Sequence, residues 1–246
     1  MIQVLINVKV LIIMLDVTFL AHSGFLVDDG KRCYVFDYYK DPNNIVWQLA
    51  KRGRELWFFV SHIHADHFNP SITEFDGPQT RYICHQDVPL EGKVKKCITM
   101  RPGQDANLDD VGIHMYGSTD EGGSFYVKTN TANIDSDSIF HAGDLNWWHW
   151  LGDTPENNAD AKRMAWREFK ELENLTVDVA MFPVDNRLEA AMEWGAIEFL
   201  RLVQVKKAFI PMHLNGPLWT PSVYFKALFG DVPVWEPQKE GDECTF

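Results

Sequence analysis

The stretch Phe59-Val60-Ser61-His62-Ile63-His64-Ala65-Asp66-His67 decides how this chain is read. Residues 56–60 form a continuous apolar run, the pattern of a strand buried on both faces. That run leads without a break into three of the chain's nine histidines and one aspartate, all within six positions. On an extended strand end, residues two apart face the same side, so His62 and His64 point together. Asp66 and His67 follow as the chain turns toward Pro70 and Ser71. Neutral imidazoles with a carboxylate are the usual ligands of zinc in open catalytic sites, and one extended pair plus one turn pair can surround two neighbouring ions. A fortuitous surface cluster is the weaker reading: a lone histidine is usually structural, but three beside an aspartate after a buried strand are not.

Outward from this segment, the first half of the chain reads as short strands. Residues 16–21, 25–27 and 33–37 form a meander with Asp28-Asp29-Gly30 as the hairpin turn. Residues 45–52 read as a short helix after Asp41-Pro42-Asn43-Asn44, and further strands are expected at 81–84, 93–100, 111–116, 124–128 and 138–141. The second half alternates: helix at 155–175, strand at 177–182, helix at 187–203, strand at 208–212 and helix at 221–229. Strand clusters interleaved with helices predict two sheets covered by helices, an α/β layered sandwich.

The pattern His62-x-His64-x-Asp66-His67 after a strand resembles the signature of the metallo-β-lactamase superfamily, and the likeness continues along the chain. Asp37 closes Tyr34-Val35-Phe36, where that family has an aspartate supporting the metal loop. Phe140-His141-Ala142-Gly143-Asp144 is similar to the family's strand ending in Gly-Asp, and Phe209-Ile210-Pro211-Met212-His213 to its late strand ending in a ligand histidine. Order and spacing match from Asp16 to His213, and within the superfamily the chain looks closest to the metal-dependent hydrolases that include ascorbate-phosphate lactonase-like proteins. The resemblance implies a four-layer αββα sandwich and a single domain over residues 1–246. It implies that one metal takes His62 and His64, that a second takes Asp66, His67 and His213, and that Asp144 bridges them. Zinc is the implied cofactor, as one or two ions, with manganese or iron open. Such a centre lowers the pKa of bound water to about 7 and supplies a metal-bound hydroxide at neutral pH, with Asp66 as the catalytic residue that orients it. Asp37 is implied to hold a histidine ring from behind the ligands.

One departure stands out. The family has a further histidine in a Gly-His-Thr-like turn, and here that position is Ser118 within Tyr116-Gly117-Ser118-Thr119-Asp120-Glu121-Gly122-Gly123. Serine is a weak zinc ligand. Asp120, in a Gly-flanked loop, is preferred over His114 as the replacement, and a water or a plain turn-capping role for Asp120 stays open. Asn146-Trp147-Trp148-His149-Trp150 follows Asp144 directly and reads either as a pocket wall, with Ser118, Trp147 and His149 facing substrate, or as a hydrophobic plug. His141 is placed in the core or behind the ligands, His22-Ser23-Gly24 resembles a family turn near the site and is read as a structural turn, and Asp185 is read as an N-cap, with Asp185 or Arg187 as alternatives for substrate contact.

Composition narrows the function. With 46% hydrophobic and 24% charged residues the chain is an ordinary globular one. Its formal net charge of -12 repels polyanions, so neither nucleic acid nor an anionic membrane is expected as a partner. Lys93 to Lys96 reads as a solvated strand face. The four cysteines, Cys33, Cys84, Cys97 and Cys244, are far apart and read as reduced thiols of a cytoplasmic protein. Residues 2–15 are apolar except for Gln3, Asn7 and Lys9, are too short for a membrane span and lack a basic leader, which favours an extra edge strand or an extension upstream of a natural start at Met14 over a signal peptide. The expectation is a metal-dependent hydrolase of a small-molecule ester, lactone, phosphodiester or amide. A nuclease or RNA-processing enzyme of the same fold is the first alternative, and a non-catalytic metal- or ligand-binding member the second. Oligomeric state is not legible.

Overall fold

Every second residue of the segment Arg32–Phe36 faces the same way, and both ways are covered. Tyr34 and Phe36 join one apolar cluster and Cys33 and Val35 another. The same split runs through Glu55–Val60, with Trp57 and Phe59 on one side and Leu56, Phe58 and Val60 on the other. Strands buried on both faces need a layer on each side, and the computed structural model supplies it. It describes residues 14–129 and 136–246, so the expectation for the first residues of the chain lies outside what is described up to residue 13.

The first sheet contains β1 (Asp16–Ala21), β2 (Gly24–Asp28), β3 (Arg32–Phe36), β4 (Glu55–Val60), β5 (Thr80–His85) and β6 (Cys97–Met100), with helix α1 (Ile45–Lys51) between β3 and β4. The second contains β7 (Gln104–Leu108), β8 (Val111–Tyr116), β9 (Ser124–Lys128), β10 (Ser138–His141), β11 (Thr176–Pro183) and β12 (Gln204–Met212). Helix α2 (Pro155–Lys170) precedes β11, α3 (Trp194–Leu202) precedes β12, and α4 (Val223–Phe229) follows it. A last strand, β13 (Glu243–Thr245), pairs antiparallel with β1 and completes the first sheet in the order β13-β1-β2-β3-β4-β5-β6. The second sheet runs β12-β11-β10-β9-β8-β7. Phe59 of β4 meets Phe125 of β9 edge to face between the sheets, with ring centroids 5.2 Å apart. The outer face of the first sheet is covered by α1 and the Pro70–Phe75 turn, through Val46, Ile72 and Phe75. That of the second is covered by α2 and α3, through Phe169, Phe199 and Leu200. The result is the expected αββα sandwich.

Strands β3, β4 and β5 are parallel, as are β10, β11 and β12. Their carboxyl ends meet at one edge of the sandwich, and that edge carries the motif.

Several expected boundaries move. Lys93 to Lys96 is a turn and not a strand face; β6 starts only at Cys97. The helix expected over residues 187–203 is broken: Asn186–Ala191 is a 3-10 turn with Glu189 at φ 51, ψ -120, and α3 starts at Trp194. Helix α2 stops at Lys170, and Asn174 at φ 66 turns the chain into β11. The cysteines are free thiols, with Cys97 and Cys244 only partly buried. No helix among the described residues is long and apolar enough to cross a membrane.

Candidate metal centre

Strand β4 ends at Val60, and the chain is then caught by Asp37, the residue after β3. One oxygen of Asp37 accepts the Ser61 amide at 2.7 Å; the other accepts the Ser61 hydroxyl and lies 2.7 Å from His67 Nδ1. Asp37 is fully buried and sits at φ 44, a left-handed backbone that a short polar side chain tolerates. It fixes the tautomer of His67, so that Nε2 is turned inward, which is the role expected for Asp37. Burial alone would raise the Asp37 pKa, but His141, His67 and His62 around it outweigh burial and lower it.

Asp144 follows β10 across the interface between the sheets. Its Oδ1 lies 3.1 Å from His67 Nε2 and 3.5 Å from His213 Nε2, and its Oδ2 lies 3.5 Å from His62 Nε2. His62 Nε2 is 3.0 Å from His64 Nδ1. His213, at the end of β12, is held from behind by Asp185, whose carboxylate lies 2.9 Å from its Nδ1 and also caps the Arg187 amide. The N-cap role expected of Asp185 is therefore joined by a second one, that of orienting His213. The structure thus brings His62, His64, Asp66, His67, Asp144 and His213 to one place. Among the described residues, ligand-type atoms within 4.8 Å of one another fall into three overlapping groups: His62, His67 and Asp144; His64, Asp120 and Asp144; and His22, Asp66, His67 and His213.

The electrostatics are those of a site built for cations. Burial opposes charge on Asp144, yet His67, His213 and His62 hold it below the usual carboxylate range. Burial likewise opposes protonation of His67, but Asp144 and Asp37 on its two nitrogens raise its pKa to about 10. Burial and the His67 charge push His62 down to about 4. The buried atoms His67 Nε2 and Asp144 Oδ1 lie 3.1 Å apart without hydrogen-bond geometry between them, and neither has another hydrogen-bond partner. Unpartnered buried polar atoms are costly, and divalent ions taking imidazole nitrogen and carboxylate oxygen would satisfy them. The donor set fits the metal that the motif implies.

The departure at Ser118 has a visible consequence. Ser118 Oγ is buried without a hydrogen-bond partner. Thr119 stitches this loop to the one after Asp144, donating to Asn146 O at 2.6 Å and accepting from Asn146 N at 2.8 Å. Gly122, at φ 73, lies so close to Ser61 and His62 that any β-carbon would overlap them. Asp120 is thereby carried beside His64 and Asp144, and burial together with the Asp144 charge raises its pKa. His114 is elsewhere engaged, 2.8 Å from Asp105 across the β7–β8 pair. His141 faces the core, donating from Nε2 to Ser23 O at 2.7 Å and stacking on Phe36.

A cleft of about 520 Å³ opens over these residues, lined by His64, Asp66, Asp120, Asp144 and His213 on the floor, Trp148, Trp150 and Arg187 on one wall, and Asp153, Asp160 and Met164 on the other. The expected pocket residues need correction. Trp148, and not Trp147, faces the site: its indole N–H donates to Asp144 O at 3.0 Å and its ring lies 5.4 Å from that of His213. Trp147 and His149 turn away and pack on Trp194, and Ser118 does not line the cleft. In the 147–150 segment, tightened by the His149 N–H to Trp147 O bond, Trp148 and Trp150 line the cleft while Trp147 and His149 pack on Trp194, so a pocket wall and a plug coexist in it. His22, read as a plain turn residue, stands in the site with Nε2 3.4 Å from Asp66 Oδ2. Its turn resembles a family turn near the site, but what puts the ring there is the docking of the β1–β2 turn on the end of β12, through the His213 N–H to His22 O bond of 3.1 Å.

No family model matches the sequence, and neither does any curated protein with which it was compared. Solved structures do match. Igni18, a metallo hydrolase of the archaeon Ignicoccus hospitalis, superposes with a TM-score of 0.64 at 17% identity, over 95% of this chain and 98% of that one. The metallo-β-lactamase fold protein YhfI of Bacillus subtilis superposes with a TM-score of 0.57 at 14% identity, over 95% of this chain and all of the other. This chain has the metallo-β-lactamase fold. The β-hydroxylase CmlA matches as well, with a TM-score of 0.57 at 10% identity and 54% of its length covered. Likenesses at these identities show the fold, and the reaction has to be argued from the site.

Proposed function

We propose that the protein is a zinc-dependent hydrolase of small molecules, with one metal held by Asp66, His67 and His213, the other by His62, His64 and Asp120, and Asp144 shared between them. The observation that carries this reading is the convergence of imidazole nitrogens from both sheets on the Asp144 carboxylate, whose Oδ1 has no hydrogen-bond partner. Bound zinc would supply Lewis acidity and acidify a water to about pKa 7. The chain's own residues do the rest. Asp37 and Asp185 keep His67 and His213 in the tautomer that leaves Nε2 free. Asp66, about half exposed and held below the usual carboxylate range first by the His22 ring 3.4 Å away, remains an anion that can accept a proton from water at the cleft floor.

The walls suggest the kind of substrate. Trp148 and Trp150 lie nearly parallel, 10° apart with centroids 6.2 Å from each other, and Arg187 covers the Trp150 ring at 5.5 Å while Asp185 holds its guanidinium at 2.6 Å. A flat apolar part of a substrate fits against the indoles, and the cleft volume is that of a small-molecule site. Five lining aspartates against one arginine argue against a polyanionic nucleic acid.

Metal analysis of protein purified without added zinc, followed by lactone, ester, phosphodiester and amide panels, tests the reading. Lactones come first, because the motif resembles that of lactonase-like members. Turnover lost on chelation and restored by zinc is expected, with His64→Ala and Asp66→Ala lowering it at least 100-fold while circular dichroism is unchanged, on the order seen when a proton-transfer group is removed. Protein that retains no metal, or an Asp66→Ala variant as active as the parent, overturns it.

A further inference from the structure

The turn between β1 and β2 places a histidine where a turn needs none. We propose that His22 is a fourth protein ligand to the metal held by Asp66, His67 and His213, an inference that rests on the metal-centre part of the proposed function. Three observations support it. The ligand-type atoms of His22, Asp66, His67 and His213 all lie within 4.8 Å of one another, the largest such group among the described residues. The Nε2 atom of His22 is buried and has no hydrogen-bond partner; its nearest acid is Asp66 Oδ2 at 3.4 Å. A tetrahedral ion with bonds of about 2.0–2.1 Å holds its ligand atoms about 3.4 Å apart, which is this spacing and not that of a hydrogen bond. Finally, the ring is aimed by a locked backbone. His22 sits at φ 53, its carbonyl accepts the His213 amide at 3.1 Å, and the next carbonyl, Ser23 O, accepts His141 Nε2 at 2.7 Å. The His22 and His213 rings lie 4.1 Å apart at 52°, tilted and not stacked.

The assignment makes the two metals unequal in kind. One has three imidazoles and a carboxylate of its own, a borderline-soft, nitrogen-rich set that suits zinc. The other has two imidazoles and leans on Asp120 and Asp144, an oxygen-richer set that also suits manganese or iron.

The test compares full-length wild type with His22→Asn, because asparagine tolerates the left-handed backbone at residue 22 and is too short to replace the imidazole. Chelator competition with zinc reads the tighter dissociation constant, and cobalt substitution reads coordination through its visible bands. The expected result is a tight site weakened about 10- to 100-fold, with altered cobalt bands and unchanged circular dichroism. Unchanged affinity overturns the proposal. So does weakened affinity with unchanged cobalt bands, since that is what a histidine which only orients Asp66 would give. Histidine ring-nitrogen NMR of the wild type reads the same contact without substitution: zinc must shift the His22 Nε2 resonance, and an unshifted resonance overturns the proposal even if the variant does not fold. Wild type that binds no zinc defeats the proposed function itself, whereas zinc-binding wild type matched by His22→Asn defeats only this inference.

Discussion

His67 is pinned between Asp37 on one ring nitrogen and Asp144 on the other, and this gives the metal-free protein a pH dependence with a definite sign. Its folded pKa is raised to about 10 from an ordinary 6.5. Its contribution to stability is therefore fully present below pH 6.5 and is lost as pH rises through about 10, because the unfolded chain gives up the proton first. Burial lowers the pKa of His62 and His141, so they act with the opposite sign, below 6.5. Burial raises the Cys33 thiol to about 12, so it adds nothing until the unfolded thiol ionises near 9. The Cys97 thiol, lowered from 9.0 by its bond to Cys84, acts with the opposite sign toward the window from 6.5 to 8.5, so a Cys97→Ser background isolates His67 there. Chelator-treated protein should melt at progressively lower temperature across that window, while zinc-loaded protein, in which the ring is already deprotonated, should hold its melting temperature. A flat profile for the metal-free protein would remove His67 as a buried cation. At this scale the sequence was most informative where ligands are contiguous: His62, His64, Asp66 and His67 belong to one segment. His22 and the second role of Asp185 escaped because each is defined by a partner almost two hundred or about thirty residues away, His213 in both cases.

Among the elements, those whose side chains are buried on both faces were legible as apolar runs, and β4 was found to within a residue. Strand β7, Gln104-Asp105-Ala106-Asn107-Leu108, was not, because it is an exposed edge whose polar residues carry no strand pattern. Strand β13 is three residues long and exists through its pairing with β1. The helix expected over residues 187–203 was overextended because the left-handed residue that breaks it is Glu189, which no propensity marks as a breaker. The loop from Gly117 to Gly123 is the element on which the site most depends. It carries Asp120, and it can lie on β4's end only because Gly122 has no side chain. Gly122→Ala would need both a positive φ and space occupied by Ser61 and His62, so the loop must lift. Overpacking of this kind costs about 1–3 kcal/mol, read by denaturant titration. The metal of His62 and His64 should loosen about 10-fold or more in the same variant, as when supporting groups around a metal are displaced, and the metal of His67 and His213 should hold. An alanine variant with parental stability and both metals intact would show that the loop does not seat on His62.

At the scale of the whole molecule the centre is a joint. His22, Asp37 and the residues 62–67 segment belong to the first sheet, while Asp120, Asp144, Asp185 and His213 belong to the second. Elsewhere the sheets meet through apolar packing, such as Phe59 on Phe125, and through the His141–Ser23 hydrogen bond and the Arg32–Asp110 and Arg81–Asp109 ion pairs. Ions bound here tie the sheets together at one edge, so their free energy of binding adds to the stability of the entire sandwich. At a free metal concentration 100 times the dissociation constant, each ion adds about 2.7 kcal/mol. For a chain of this size that corresponds to roughly 5–10 °C in melting temperature. Stepwise chelation should therefore lower a single cooperative transition in two stages. The first stage should remove the ion of the oxygen-richer His62, His64 and Asp120 set, and the second the ion of the three-imidazole set. Asp120→Ala should merge the first stage into the starting state, and Ser118→His should delay it if the added imidazole reaches the ion. Hydrogen exchange locates the effect: amides at the ends of β4 and β12 should lose protection together at the second stage, because the ion lost there spans them. Loss confined to one sheet, or one stage removing both equivalents at once, would show that the metals do not join the two halves in the way the geometry requires.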